Sequence, residues 1–198
     1  MSENNLFELW FGNAGQLKQK MNGAKINISS IRDYFLFEIL KQRVPNFSPD
    51  EIVRNEHGKP GLKNSHLTFN LSHCGENFAL VLCDQQYCGI DIQTVRSRAN
   101  YDDALRSVLT DHEYAQLNGI GNENSFFQLW SLKEAYIKAM GSSIWYGRDY
   151  DFSEILPNYS NRWIYSNNLY IYSTEIDKGI CLSVAVPHKP DEIDFRKI

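Results

Sequence analysis

Residues 89–93 read Gly89-Ile90-Asp91-Ile92-Gln93, and residues 130–141 read Trp130-Ser131-Leu132-Lys133-Glu134-Ala135-Tyr136-Ile137-Lys138-Ala139-Met140-Gly141. The first stretch alternates as a strand, with Asp91 and Gln93 on one side and Ile90 and Ile92 on the other. The second is helical, and its Trp130, Glu134 and Lys138 recur at i, i+4 steps, so they share one face. A carboxylate from a strand, a carboxylate from a helix and a lysine one turn further on are the components of a magnesium site with a base beside it. That combination suits chemistry on a pyrophosphate.

Working outward from these stretches, strands and helices follow in blocks rather than in strict alternation. A helix is expected over residues 31–44, with Ile31, Phe35, Ile39 and Leu40 on its apolar face and Pro45 as its stop. Ser29 or Ser30 is placed to cap it. Arg32 then falls in the first turn, where the helix dipole disfavours a cation. It reads either as a solvated arginine or as one that faces an anion together with the helix start. Gly58-Lys59-Pro60-Gly61 is a turn, and strands are expected over 67–71, 78–83 and 87–93. Their short connections predict an antiparallel meander.

Residues 6–28 carry a weaker pattern. Leu6, Leu9, Trp10 and Phe11 fit the start of a strand, and Gln16 to Met21 fit a short helix. Beyond a polar, basic stretch at 95–100, helices are expected over 101–108, from Thr110, and over 126–140, the last ending at Gly141. Strands at 163–165, 170–174 and 180–186 complete the pattern. The fold class is α+β, with hairpin-length links, rather than a doubly wound parallel sheet. The basic stretch divides the chain into an N-terminal half, 1–97, and a C-terminal half, 98–198.

Bulk properties narrow the function. The 198 residues are 42% hydrophobic and 22% charged, which fits a folded domain with a substantial core. Twenty Lys and Arg against 24 Asp and Glu give a formal charge of −4, so a general nucleic-acid binder is disfavoured. An anionic ligand must therefore meet a local cluster of cations. Cys74, Cys83, Cys88 and Cys181 form no Cys-x-x-Cys pair and read as free thiols in a reducing compartment. The N-terminal residues lack the pattern of a signal peptide, and no apolar run is long enough to span a bilayer. A cytoplasmic location without membrane association is expected.

Several candidate residues admit two readings. Glu134 and Lys138 also fit an ordinary surface pair worth a few tenths of a kcal/mol (~0.3). Asp91 lies among apolar neighbours, where a carboxylate is costly unless it is paired, hydrogen-bonded or bound to metal. Ser72 and His73, in Asn70-Leu71-Ser72-His73, stand near a strand end, where a histidine is placed to donate to a phosphate or to serve structure alone. Lys59 is a cation presented by a rigid turn. Glu113 fits a capping box with Thr110, or a catalytic role. The chain has no Gly-x-Ser-x-Gly, Walker A or Gly-x-Gly-x-x-Gly motif, which removes the commonest hydrolase and nucleotide-binding classes.

Gly58-Lys59-Pro60, Asn70-Leu71-Ser72-His73, Gly89-Ile90-Asp91-Ile92 and Trp130 to Lys138, taken in this order, resemble the signature set of the 4′-phosphopantetheinyl transferases. The resemblance is to the larger Sfp-like branch, in which one chain holds two similar halves. It covers residues 55 to 141. It implies a pseudo-twofold fold, each half a small, mainly antiparallel sheet packed with helices. It also implies transfer of phosphopantetheine from coenzyme A to a serine of an apo acyl or peptidyl carrier protein, with release of 3′,5′-ADP.

The resemblance further implies that Asp91 and Glu134 hold Mg²⁺ on the pyrophosphate and that Lys138 takes the serine proton or stabilises the leaving charge. His73 and Arg32 would contact phosphates of coenzyme A, with Lys59 near the nucleotide and Ser72 beside them. Lys18 and Lys20 stand where family members keep further phosphate-binding lysines, and Glu113 resembles an acidic residue close to the metal. Many members have Glu where this chain has Gln93, which predicts looser metal binding and a stronger response to Mn²⁺. A lysine base needs a lowered pKa, and burial near a metal would shift Lys138 that way. Arg96, Arg98 and Arg106 are candidates for carrier docking, and a site completed within one chain implies a monomer. A catalytically degenerate binder of coenzyme A or carrier protein is the alternative, and an unrelated interaction domain is a third reading.

Overall fold

A computed structural model describes residues 6–21, 26–56, 58–97, 102–120, 123–142, 144–155 and 161–198. In chain order the elements are β1 (Phe7–Asn13), α1 (Ala14–Lys20), α2 (Ile28–Arg43), β2 (Ile52–Arg54), β3 (Pro60–Leu62), β4 (Thr68–Cys74), β5 (Asn77–Cys83) and β6 (Gly89–Thr94). Then come α3 (Asp102–Val108), α4 (Asp111–Ile120), α5 (Glu123–Ala139), β7 (Trp163–Ser166), β8 (Leu169–Asp177), β9 (Ile180–Val186) and β10 (Asp194–Lys197). The fold is α+β, built on small sheets that are antiparallel except where β10 runs parallel to β1.

One four-stranded sheet has the order β10-β1-β5-β4 and the other β6-β9-β8-β7, while β2 and β3 form a separate hairpin. Strand alternation turns these sheets into layers. Trp10, Phe69, Phe78, Leu80 and Leu82 face α2, packing on Ile31, Phe35 and Ile39. The intervening residues Phe7, Leu9, Ala79 and Val81 meet Ile90, Ile92, Leu182 and Val184 between the two sheets. On the far side Ile171 and Ala185 pack against Leu129, Leu132, Ala135 and Tyr136 of α5. Among the described residues no helix is long and apolar enough to cross a membrane.

The expected three-strand meander breaks at its third member. β5 already pairs with β1 on one edge and β4 on the other, so β6 crosses to the second sheet and pairs antiparallel with β9. β6, on the N-terminal side of the expected division at 97/98, thus belongs to a sheet otherwise made of C-terminal strands. β10 does the converse. The α2 cap also differs from expectation. Asn27 Oδ1 accepts a 2.8 Å hydrogen bond from Ser30 N, so the helix starts at Ile28 and Arg32 lies beyond the first turn. Arg32 therefore lies clear of the unfavourable end of the helix dipole.

Strand β10 has a polar sequence but is firmly held. The buried Glu8 carboxylate accepts from Trp10 Nε1 at 2.9 Å and from Arg43 Nε at 2.9 Å, and it pairs with Arg196 at 3.2 Å. The Arg43 and Arg196 guanidinium groups lie 5.7 and 5.2 Å from the Trp10 ring centroid, within cation–π range. The N-terminus of α4 is fixed by a second buried acid. Glu113 completes the capping box, its Oε2 accepting from Thr110 N at 2.8 Å while its own N–H donates to Thr110 Oγ1 at 3.2 Å. Its carboxylate also accepts from Phe152 N at 2.9 Å and from Lys133 Nζ of α5 at 2.5 Å. Both side chains of this pair are fully buried.

Strand β6 and helix α5 approach closely at Gly89. A Cβ on Gly89 would lie 2.0 Å from the Ala135 carbonyl oxygen and 2.4 Å from the Ala139 nitrogen. Both of those atoms are backbone and cannot rotate away. Gly89→Ala is therefore expected to destabilise the protein by at least about 3 kcal/mol in chemical denaturation. Glu113→Gln leaves the Lys133 ammonium buried without the carboxylate that contacts it, at an expected loss of about 3 kcal/mol. The double variant Glu113→Gln, Lys133→Met should lose less than Glu113→Gln alone, and the same denaturation series checks this.

Candidate active site

At the seam between the sheets, the free edge of β4 lies beside β6, and side chains rather than backbone bridge it. Asn70 Oδ1 accepts from Ile90 N at 2.8 Å, Ser72 Oγ donates to Asp91 Oδ1 at 2.8 Å, and Cys74 Sγ accepts from Thr94 N at 3.4 Å. These three alternate residues share one face of β4, as the strand period requires. The residues between them, Leu71 and His73, turn to the other face, where they line a cavity of about 330 Å³ with Arg32, Arg54, Pro60 and Leu36. Strand periodicity thus sends Ser72 and His73 to two different places. His73 lies within β4, not beyond its end, and stacks on Phe78 at 5.9 Å.

Asp91 is the hub of the seam. It is buried, and its carboxylate takes Lys138 Nζ at 2.6 Å and Ser72 Oγ on Oδ1, and Gln93 Nε2 at 2.9 Å on Oδ2. Its carbonyl accepts from Ser131 Oγ of α5 at 3.2 Å. Lys138 Nζ also stands 3.8 Å from Glu134 Oε2 and donates to Ser72 Oγ at 3.2 Å. A strand carboxylate and a helix carboxylate therefore share one ammonium. Beside them a cavity of about 220 Å³ is lined by Gln93, Thr94, Arg96, Phe127, Trp130 and Glu134.

Burial and charge set the protonation of this cluster. Burial opposes the Lys138 charge, but Asp91 and Glu134 outweigh it and hold the pKa above the ordinary lysine value. The lowering expected of a lysine base belongs to the state in which a metal is held by both carboxylates. Burial raises the Glu134 pKa, with Lys138 opposing and Asp91 adding to the shift.

Among the described residues no group of three or more His, Cys, Asp and Glu is gathered to hold a metal. Two oxygen-donor carboxylates facing one cation-sized point, now filled by the Lys138 ammonium, nonetheless fit magnesium, which commonly takes one or two carboxylates and completes its shell with water and phosphate oxygens. Gln93 acts as a donor to Asp91, so service as an oxygen ligand requires its amide to rotate.

The other sequence candidates disperse. Arg32 pairs with Asp33 at 2.9 Å on the rim of the His73 cavity. Arg54, which the sequence reading did not single out, lines the same cavity; its place at the end of β2, four residues before Gly58, was the available signal. Lys18 and Lys20 sit in the last turn of α1 and line neither cavity. Glu113 is engaged with Thr110, Phe152 and Lys133 as described. Lys59 turns inward and donates to the carbonyls of Lys138 at 2.7 Å and Cys88 at 2.9 Å. Arg96 donates to Cys74 Sγ at 3.7 Å, and Arg106 stacks over Tyr114 at 4.1 Å. Arg98 lies outside the described residues. All four cysteines are free thiols.

Residues 87–184 match the family model described as the 4′-phosphopantetheinyl transferase superfamily. The chain is 36% identical over 99 residues to the 4′-phosphopantetheinyl transferase AcpT of Escherichia coli strain K12, covering 48% of this chain and 51% of that protein. It is 28% identical over 152 residues to the 4′-phosphopantetheinyl transferase gsp of Aneurinibacillus migulanus, covering 72% of this chain and 62% of that protein. HetI of Nostoc, also a 4′-phosphopantetheinyl transferase, is 36% identical over 97 residues, covering 44% and 40% of the two chains. The match spans about half the length of the AcpT relatives. The family-model match, residues 87–184, takes in β6, α5 and most of β9; β6 and α5 carry Asp91, Glu134 and Lys138. The chain belongs to the 4′-phosphopantetheinyl transferase superfamily.

Proposed function

We propose that this protein transfers 4′-phosphopantetheine from coenzyme A to a serine hydroxyl of an apo acyl or peptidyl carrier protein. The observation that carries the reading is the contact of Lys138 with both Asp91 and Glu134, which brings two carboxylates from separate elements to one cation position. Asp91 and Glu134 would hold Mg²⁺ there, with Gln93 or water beside them, and Mn²⁺ as a substitute. The bound ion would neutralise charge on the pyrophosphate.

The protein's own residues supply the rest. The serine oxygen attacks the pantetheine-bearing phosphorus, and the bond from that phosphorus to the bridging oxygen breaks, releasing 3′,5′-ADP. Such displacement depends mainly on positioning and charge neutralisation. With an ion held by Asp91 and Glu134, Lys138 would be freed from Asp91, and it is assigned to accept the serine proton or to stabilise the leaving oxygen. The cavity bearing Arg32, Arg54 and His73 is assigned to phosphate groups of coenzyme A, and the Gln93–Trp130 cavity to the pantetheine arm and incoming serine. Glu113, bonded to Lys133 and the α4 N-terminus, is assigned to holding α4 on α5. We further propose the Sfp-like, two-half arrangement, action as a monomer and a cytoplasmic location.

A second reading, a degenerate binder of coenzyme A, is favoured by Gln93, which donates to Asp91 where an oxygen ligand would be expected.

Intact-mass spectrometry of several apo carrier proteins, incubated with this protein, coenzyme A and Mg²⁺, tests the proposal. A phosphopantetheine mass gain is expected, lost in Asp91→Ala and slowed about a hundredfold or more in Lys138→Met. Gln93→Glu should lower the Mg²⁺ concentration needed for half-maximal rate. Binding of coenzyme A without any mass gain would favour the degenerate reading.

A further inference from the structure

We propose that Lys59 is a positioning residue, which acts through the carbonyl of Lys138 to fix the last turn of α5 and so the reach of the Lys138 ammonium; this rests on the function proposed above.

Lys59 stands in the turn of the β2–β3 hairpin, which pairs with neither four-stranded sheet. The turn is well built. Asn55 Oδ1 accepts from Lys59 N at 2.8 Å, Asn55 N donates to the Lys59 carbonyl at 3.1 Å, and Gly58 takes a φ of +77°, a conformation natural to glycine. From this base the Lys59 side chain leaves the hairpin and reaches the seam of β6 and α5. Its ammonium bridges Cys88 O at 2.9 Å and Lys138 O at 2.7 Å, contacts made across 29 and 79 residues of sequence.

Both acceptors are consequential. Cys88 precedes Gly89, the residue against which α5 packs without room for a Cβ. Lys138 is in the closing turn of α5, which ends with Gly141 at φ +67°, Ser142 N donating to Ile137 O at 3.0 Å and Gly141 N to Lys138 O at 3.3 Å. The Lys59 cation therefore sits at the negative end of the helix dipole, where it is stabilising. It is bonded to the backbone of the residue whose side chain reaches Asp91. A change at Lys59 would be transmitted to Lys138 along one residue. The hairpin also lends Arg54 and Pro60 to the cavity holding Arg32 and His73. Lys59 thus links that cavity to the Asp91–Glu134–Lys138 cluster.

Two of the three N–H donors of the Lys59 ammonium are taken by these carbonyls, and the kinetic and exchange consequences of losing them separate a positioning role from a ligand role experimentally. Lys59→Met, Lys59→Gln and Lys59→Arg are compared with the unaltered protein in steady-state transfer and in amide hydrogen exchange. A positioning role predicts that Lys59→Met lowers kcat about tenfold with the KM for coenzyme A within about twofold. Amides of residues 139–142 should exchange faster, with little change elsewhere. Lys59→Arg, whose planar fork can reach both carbonyls, should recover much of the loss.

A raised KM for coenzyme A at unchanged kcat, with unaltered exchange at 139–142, would overturn the proposal and make Lys59 a ligand cation. If the unaltered protein transfers nothing to any carrier, the function proposed above fails. The exchange pattern still decides the role of Lys59 in holding the helix end. If Lys59→Met does not fold, Lys59→Gln carries the same comparison.

Discussion

The contact of Gly89 with the backbone of α5 is the constraint from which the rest of the site follows. A helix that touches a strand at Ala135 O and Ala139 N has little freedom to slide or rotate. Its neighbouring residues are thereby placed: Glu134 and Lys138 face the strand two residues further along, at Asp91. Ser131, one turn earlier on the helix, donates to the Asp91 carbonyl and fixes the register. The carboxylate cluster is held at a rigid seam of regular elements, which positions it more closely than loops would.

The seam also explains why polar residues are tolerated in a largely apolar interior. β6 has β9 on one edge and no backbone partner on the other, so its N–H groups there need acceptors. Asn70 and Cys74 provide two of them, and Ser72 between them turns to Asp91. Burying these groups costs little because each has a partner. Among the described residues no buried side-chain nitrogen or oxygen lacks one.

Much of this was legible in the sequence. Period-two alternation gave the facing of Asp91 and Gln93 against Ile90 and Ile92, and the i, i+4 spacing gave the face shared by Glu134 and Lys138. The Thr110–Glu113 capping box formed as read. What the sequence hid was long-range. That β5 would be saturated by β1 and β4, sending β6 to another sheet, depends on a pairing 64 to 76 residues away in β1. The β10 segment, Asp194-Phe195-Arg196-Lys197, lacks the apolar alternation of a buried strand and declares itself only through Glu8 and Trp10. Lys59 reads in the sequence as a cation presented by a rigid turn; its inward aim follows from carbonyls contributed by two distant elements. Sequence shows the neighbours of Lys138 along the helix but not the strand carboxylate pressed against it, which holds its pKa up.

The exchange of strands between the sheets has a consequence for the order of events when the chain folds. β6 meets β9 only after about ninety intervening residues exist, and β10 meets β1 only when nearly the whole chain does. Neither sheet can be completed from one half of the sequence. A nascent chain carrying only β1 to β6 has an unpaired β1 edge and an unpartnered β6. Such edges are templates for wrong pairing until the late strands arrive. Non-local pairing of this kind slows folding, so the interlacing that joins the two sheets around the carboxylates sets the pace at which the chain reaches its native pairing.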